Sequence, residues 1–266
     1  VDANIGNCGG ATMLKLGMVT YLWGKEWDLD TVIKNCAATG FAGVELRSTH
    51  KHGVEVELSP AQRAEVKQKF DDSPVEFVGP GSACEYHDPD HGIVQRNIEL
   101  TNEFVKLSAD IGGTGVKVRP NRLVKGEDPQ VTIARIGEAL RECGKFAADH
   151  GQEIRVEVHG RGTKDPAVIR KIMDAADHPQ VVVCWNANPG ETVNGSIKMN
   201  FDLLKHKLGG TLHIHDLFDQ QYPYQELFSL LKQQDYDGYC LSESPATSDP
   251  LKVMRYYKAL FEQMTA

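Results

Sequence analysis

No run of about eighteen apolar residues occurs in the 266-residue sequence, so no segment has the length of a membrane-spanning helix. Basic residues are in the minority. The 29 Lys and Arg against 37 Asp and Glu leave a formal charge of -8, and no basic footprint for a phosphate backbone is present. Nucleic acid and membrane are therefore disfavoured as partners. Cysteine is scarce and scattered, and no two of Cys8, Cys36, Cys84, Cys143, Cys184 and Cys240 form a Cys-x-x-Cys pair. Three of them sit inside apolar runs. This usage implies reduced, buried thiols in a cytoplasmic enzyme, with a removed export segment left open. Internal repeats and linker-like stretches are also lacking, and the length suits a single α/β barrel domain.

What is present is alternation. Residues 1–13, small and polar without a period, read as a disordered or strapped tail. From residue 14 to 266 short apolar runs recur at Leu14–Tyr21, Gly43–Arg47, Val75–Gly79, Gly115–Arg119, Ile154–His159, Val181–Asn186, Thr211–His215 and Gly238–Glu243. Helical patterns separate them. Ile133, Ile136, Leu140, Cys143 and Ala147 keep one apolar stripe, as do Leu251, Met254, Phe261 and Met264. Ser59-Pro60, Asp165-Pro166 and Asp249-Pro250 each place a capping oxygen before a first-turn proline. Eight strand-then-helix units predict a (β/α)8 TIM barrel, with a doubly wound open sheet as runner-up.

In a barrel strand one parity faces the helices and the other faces the axis. Ile154, Val156 and Val158 take the helix side, which turns Arg155, Glu157 and His159 inward. The same alternation turns Glu45, Arg47, Lys117, Arg119, His213 and His215 inward. Barrel interiors are ordinarily apolar, and barrel enzymes work at the C-terminal strand ends. Glu157, Asn186, His213, His215 and Glu243 lie at four such ends. Two carboxylates, an imidazole and an amide oxygen suit Mg, Mn, Co or Zn with positions open for substrate. Glu243 shares its parity with Tyr239 and Leu241, which blurs the reading of strand eight.

At these residues the sequence resembles the xylose isomerase-like TIM barrels, a superfamily of sugar-phosphate isomerases and epimerases, ketose 3-epimerases, inosose dehydratases and endonuclease IV. The resemblance runs from Leu14 to the C-terminus and rests on four strand ends: Glu157 in "VEVHG", Asn186 in "CWNANPG", His213 and Asp216 in "HIHD", and Glu243 in "DGYCLSE". Asn186 departs from the family's Asp and offers an uncharged ligand. The resemblance implies a divalent metal on Glu157, Asn186, His213 and Glu243. It also makes Glu157 and Glu243 the proton carriers and gives His215 a hydrogen bond to the substrate. Lys117, Arg119, Arg47, Arg155, His159 and Asn188 are further candidates for contact with hydroxyls or a phosphate, between aromatic walls from Trp23 and Trp185. His87, in the turn-rich "CEYHDPDHG", is a loop candidate for the substrate.

The expected activity is a metal-assisted isomerase or epimerase on a sugar or sugar phosphate. A dehydratase or lyase on a keto-sugar or inosose is the alternative, as is a sugar-binding barrel without catalysis. Cleavage of abasic DNA is disfavoured, because "DQQYPYQ" lacks the further Asp-x-His of the endonuclease branch and the chain is acidic. A homo-oligomer stays open.

Overall fold

The computed structural model describes residues 13–266; the expected N-terminal tail falls almost wholly outside them. Eight strands alternate with eight helices. They run β1 (Lys15–Val19), α1 (Leu29–Thr39), β2 (Gly43–Arg47), α2 (Pro60–Asp71), β3 (Glu76–Glu85), α3 (His91–Ile111), β4 (Gly115–Arg119) and α4 (Pro129–Asp149). The second half is β5 (Glu153–Glu157), α5 (Pro166–Ala176), β6 (Val181–Cys184), α6 (Lys198–Leu204), β7 (Thr211–Ile214), α7 (Tyr224–Lys232), β8 (Tyr239–Ser242) and α8 (Pro250–Met264). All neighbours are parallel, in the order β6-β5-β4-β3-β2-β1-β8-β7. The outer strands β6 and β7 meet through Gly209 N–H to Val183 O (2.9 Å) and His213 N–H to Trp185 O (2.7 Å), which brings the sheet round to a (β/α)8 barrel.

The alternation works as the period of two requires. Val44, Val116, Val118, Ile154, Val156, Val158, Leu212 and Ile214 are all fully buried under the helix layer. Each such side chain contributes about 1.5–3 kcal/mol by leaving water. The α4 stripe is buried from Ile133 to Ala147. Caps set the helix starts: Asp165 accepts from Ala167 N–H, Asp249 from Lys252 N–H, and Ser59 forms a reciprocal box with Gln62. An oxygen cap of this kind is worth about 1 kcal/mol.

One feature corrects the sequence reading and another bears it out. β3 continues from Gly79 to Glu85, through the Gly79-Pro80-Gly81 stretch whose composition signals a turn. Gly79 has φ 141°, and a Cβ there would stand 2.0 Å from Gly115 O, so glycine is what lets β3 pack against β4. Tyr239 and Leu241 do share the inward parity of Glu243. With Val19 and Val78 they form a small apolar cluster separate from the main core, filling the barrel axis below the polar end.

Candidate active site

Lysine and glutamate from adjacent strands form the centre of the site. Lys117 of β4 and Glu157 of β5 are two residues out of lateral register, since Lys117 pairs with Arg155. The long lysine stem spans the gap, and Nζ donates to Glu157 Oε2 at 2.9 Å. The other oxygen, Oε1, accepts from Asn186 Nδ2 at 2.9 Å. Burial pushes the Glu157 carboxyl up, but Lys117 and His213 outweigh it and hold the group below the usual carboxylate range.

His213 of β7 stands between three carboxylates. Its Nδ1 is 3.6 Å from Glu243 Oε2 and 3.8 Å from Glu157 Oε1, and its Nε2 is 3.3 Å from Glu45 Oε1. Burial alone would lower the imidazole. The Cys184 sulfur, Glu45 and Glu243 reverse that and raise it well above its usual range. Glu243, just past β8, is largely buried, which opposes ionisation, yet the charge of His213, whose Nδ1 lies 3.6 Å away, holds it at about 2.

Glu157, His213 and Glu243 present donor atoms within 4.8 Å of one another. A divalent ion with bonds of about 2.1 Å draws its donors to within about 4 Å, so these three stand close to ligating separation. Asn186 Oδ1 and His213 Nδ1 are buried and have no hydrogen-bond partner among the described residues. Such atoms are costly unless something pairs them. The donor set therefore fits a divalent metal: two carboxylates and an imidazole, with the Asn186 oxygen as a fourth donor after a turn of its amide.

Above these groups opens a polar cavity of about 270 Å³. Tyr21, Arg47, Lys117, Arg119, Glu157, His159, Asn186, Asn188, His215 and Glu243 line it. Nine of these ten are sequence candidates. Tyr21, at the end of the expected first strand, is the addition. His213 forms the floor beneath them, fully buried. His215 is fixed by three elements: its N–H donates to Tyr224 Oη at 3.0 Å, its C=O accepts from Tyr257 Oη at 2.5 Å, and its ring lies 3.2 Å from Glu243 O. Arg119 donates to Glu85 at 2.6 Å, and Asn121 caps the other Glu85 oxygen at 2.6 Å. Asn188 donates to Val158 O and to the buried Glu191.

Four sequence candidates lie elsewhere. Trp185 shares the outward parity of Val181 and Val183; its indole is fully buried, edge-on to Phe201, and donates to Tyr222 at 2.8 Å. Trp23 packs against Phe41 and Tyr257 in the core. His87 is buried outside the cavity, its backbone oxygen held by Arg135. Arg155 points inward as expected but two residues lower than Glu157, a drop of about 6.6 Å at strand rise. There it donates to Glu153, Val78 O and Thr114 and braces the barrel floor. Conversely Glu45, facing inward by alternation, joins the centre without having been singled out as a site residue.

A profile of the xylose isomerase-like TIM barrel family matches residues 33–262. The fold is similar to D-allulose 3-epimerase from Methylomonas sp. in complex with D-allulose, at TM-score 0.77 and 17% identity over 95% of this chain and 98% of that one. It is likewise similar to 3-keto-D-glucoside 4-epimerase from E. coli, at TM-score 0.78 and 15% identity over 94% and 99%. The zinc-binding IOLI protein matches at TM-score 0.74 and 14% identity over 95% and 96%. No curated protein matches the sequence. The family profile covers most of the chain, and the chain belongs to the xylose isomerase-like TIM barrel family.

Proposed function

We propose that this protein is a metal-assisted isomerase or epimerase that moves a proton at the carbon beside the carbonyl of a sugar or sugar phosphate. One observation carries the reading. Two largely buried carboxylates, Glu157 and Glu243, come from different strands to the Nδ1 side of His213 on the floor of a polar cavity, and their neighbours hold both below the usual carboxylate range. Carboxylates placed this way are bases in hand for a C–H proton. The likeness to epimerases of D-allulose and 3-keto-D-glucosides supports a keto-sugar as the substrate class.

In this reading one glutamate removes the proton from one face of the carbon and the other returns a proton to the opposite face. Lys117 matters at that moment. As Glu157 takes up the proton its negative charge is neutralised, and the ammonium 2.9 Å away becomes free to stabilise the oxygen charge developing on the substrate. A divalent ion held by Glu157, His213, Glu243 and the Asn186 oxygen would add Lewis-acid stabilisation of that same charge. His215, His159, Asn188 and Tyr21 contact hydroxyls along the wall. Arg47, which makes no ion pair among the described residues, and Arg119 suit a phosphate at the rim.

The test is a screen of free and phosphorylated ketoses with Mn, Mg, Co or Zn in heavy water. Deuterium on the carbon beside the carbonyl, without loss of water, is the expected result. Loss of water would move the assignment to a dehydratase. Sugar binding with no exchange under any metal would leave a binding protein.

A further inference from the structure

The two nitrogens of His213 face different surroundings. Nδ1 looks toward Glu157 and Glu243, at 3.8 and 3.6 Å, and has no hydrogen bond. Nε2 looks away, toward strand β2, where Glu45 places Oε1 at 3.3 Å and Oε2 at 3.4 Å. Glu45 is 2% exposed and does not line the cavity. A carboxylate so deeply buried is costly unless paired, and it touches no substrate space that would account for it.

The neighbouring strand makes room for it. Gly81 of β3 stands beside Arg47 of β2 in register, and a Cβ on Gly81 would come within 2.6 Å of Glu45 Oε1. That close approach exists because residue 81 has no side chain.

We propose that Glu45 is a positioning residue: it accepts the Nε2 proton of His213, fixing the ring so that Nδ1 is the atom offered to a divalent ion between Glu157 and Glu243. The inference rests on the metal reading above. A ligating imidazole must be neutral, with its proton on the nitrogen that does not ligate, and an acceptor there sets both tautomer and ring angle. Among the described residues Glu45 is the carboxylate within reach of Nε2. Gly81 is the space that lets it stay.

The test is zinc titration by calorimetry on the full chain. Glu45→Ala is expected to weaken zinc binding about 10- to 100-fold, the usual effect of losing such a partner. Glu45→Gln, whose amide oxygen still accepts from Nε2–H, is expected to recover most of the affinity. In the zinc-loaded wild type, ¹⁵N spectra of the histidines are expected to show His213 protonated at Nε2 and shifted by metal at Nδ1. Wild-type zinc affinity in Glu45→Ala, or zinc on Nε2, overturns the proposal while leaving the metal reading intact. A wild type that binds no zinc overturns both. Should Glu45→Ala fail to fold, Gly81→Ala displaces the same carboxylate: weakened zinc binding supports the proposal, and unchanged binding overturns it.

Discussion

The side-chain amide of Asn186 donates to Glu157 Oε1 across 2.9 Å, from the strand end where the family pattern has an aspartate. An aspartate there would set two carboxylates against each other in a buried space, and like charges at that distance raise one pKa and destabilise the ion-free protein. Asn186→Asp is therefore expected to bind Mn or Zn at least ~10-fold more tightly, through the added charged ligand. Without metal it should melt below the wild type, and with metal the gap should close or reverse. Paired melting curves and metal titrations check both; unchanged affinity would place Asn186 outside the ligand set.

Lys117 and Glu157 form an ion pair with each side chain 4% exposed. Lys117→Met leaves the carboxylate buried without its cation, a loss of about 3–5 kcal/mol for pairs of this kind. The direction on pH follows from the same contact. Burial already pushes Glu157 up, and the lysine is the main group opposing it. Its removal favours the protonated acid, so the acid limb of the pH–rate profile is expected to move to higher pH. Denaturant melts and a pH series on the variant measure the two effects.

Much of this centre was legible from the period of two. Ile154, Val156 and Val158 turned Arg155, Glu157 and His159 inward, and the same rule applied to Lys117, Arg119, His213 and His215. Direction was readable where depth was not. Arg155 and Glu157 share a parity, but the first braces the floor and the second lines the cavity. Trp185 was readable against its assignment, since it shares the outward parity of Val181 and Val183. Gly79-Pro80-Gly81 carries turn chemistry, so its place inside β3 is not legible from composition, and only the approach of Gly115 O and Glu45 shows why glycines occupy a strand. The partnership of Glu45 with His213 spans 168 positions in sequence, and no local spacing encodes it.

Arg155→Met separates floor from site. It removes donors to Glu153, Val78 O and Thr114, all below the cavity. Stability is expected to fall by about 2–4 kcal/mol, as for breaking a largely buried ion pair. Metal affinity should stay within about twofold of wild type. A selective loss of metal or substrate binding at unchanged stability would return Arg155 to the site.

Glu191 is fully buried behind Asn188, accepting from Asn188 and from Tyr222 at 3.1 Å each, and burial pushes its carboxyl up to about 7. Between the ordinary value of 4.5 and about 7 the folded protein holds a proton that the unfolded chain has lost. Stability therefore falls as pH rises through that window. The total is on the order of 3 kcal/mol at 1.36 kcal/mol per pH unit. Glu191→Gln is expected to match the wild type near pH 5 and exceed it near pH 8. Melting at both pH values checks this, and a variant equally affected at the two would contradict it.

Proton transfer by Glu157 and Glu243 is tested most directly by following deuterium from heavy water onto a responsive ketose, with the metal content of every sample measured alongside. Glu157→Gln and Glu243→Gln are each expected to slow incorporation by roughly 10²-fold or more, the usual size of a positioned acid–base group, in samples brought to wild-type metal content. Wild-type rates of incorporation in either variant at full metal occupancy would contradict the assignment of that glutamate as a proton carrier.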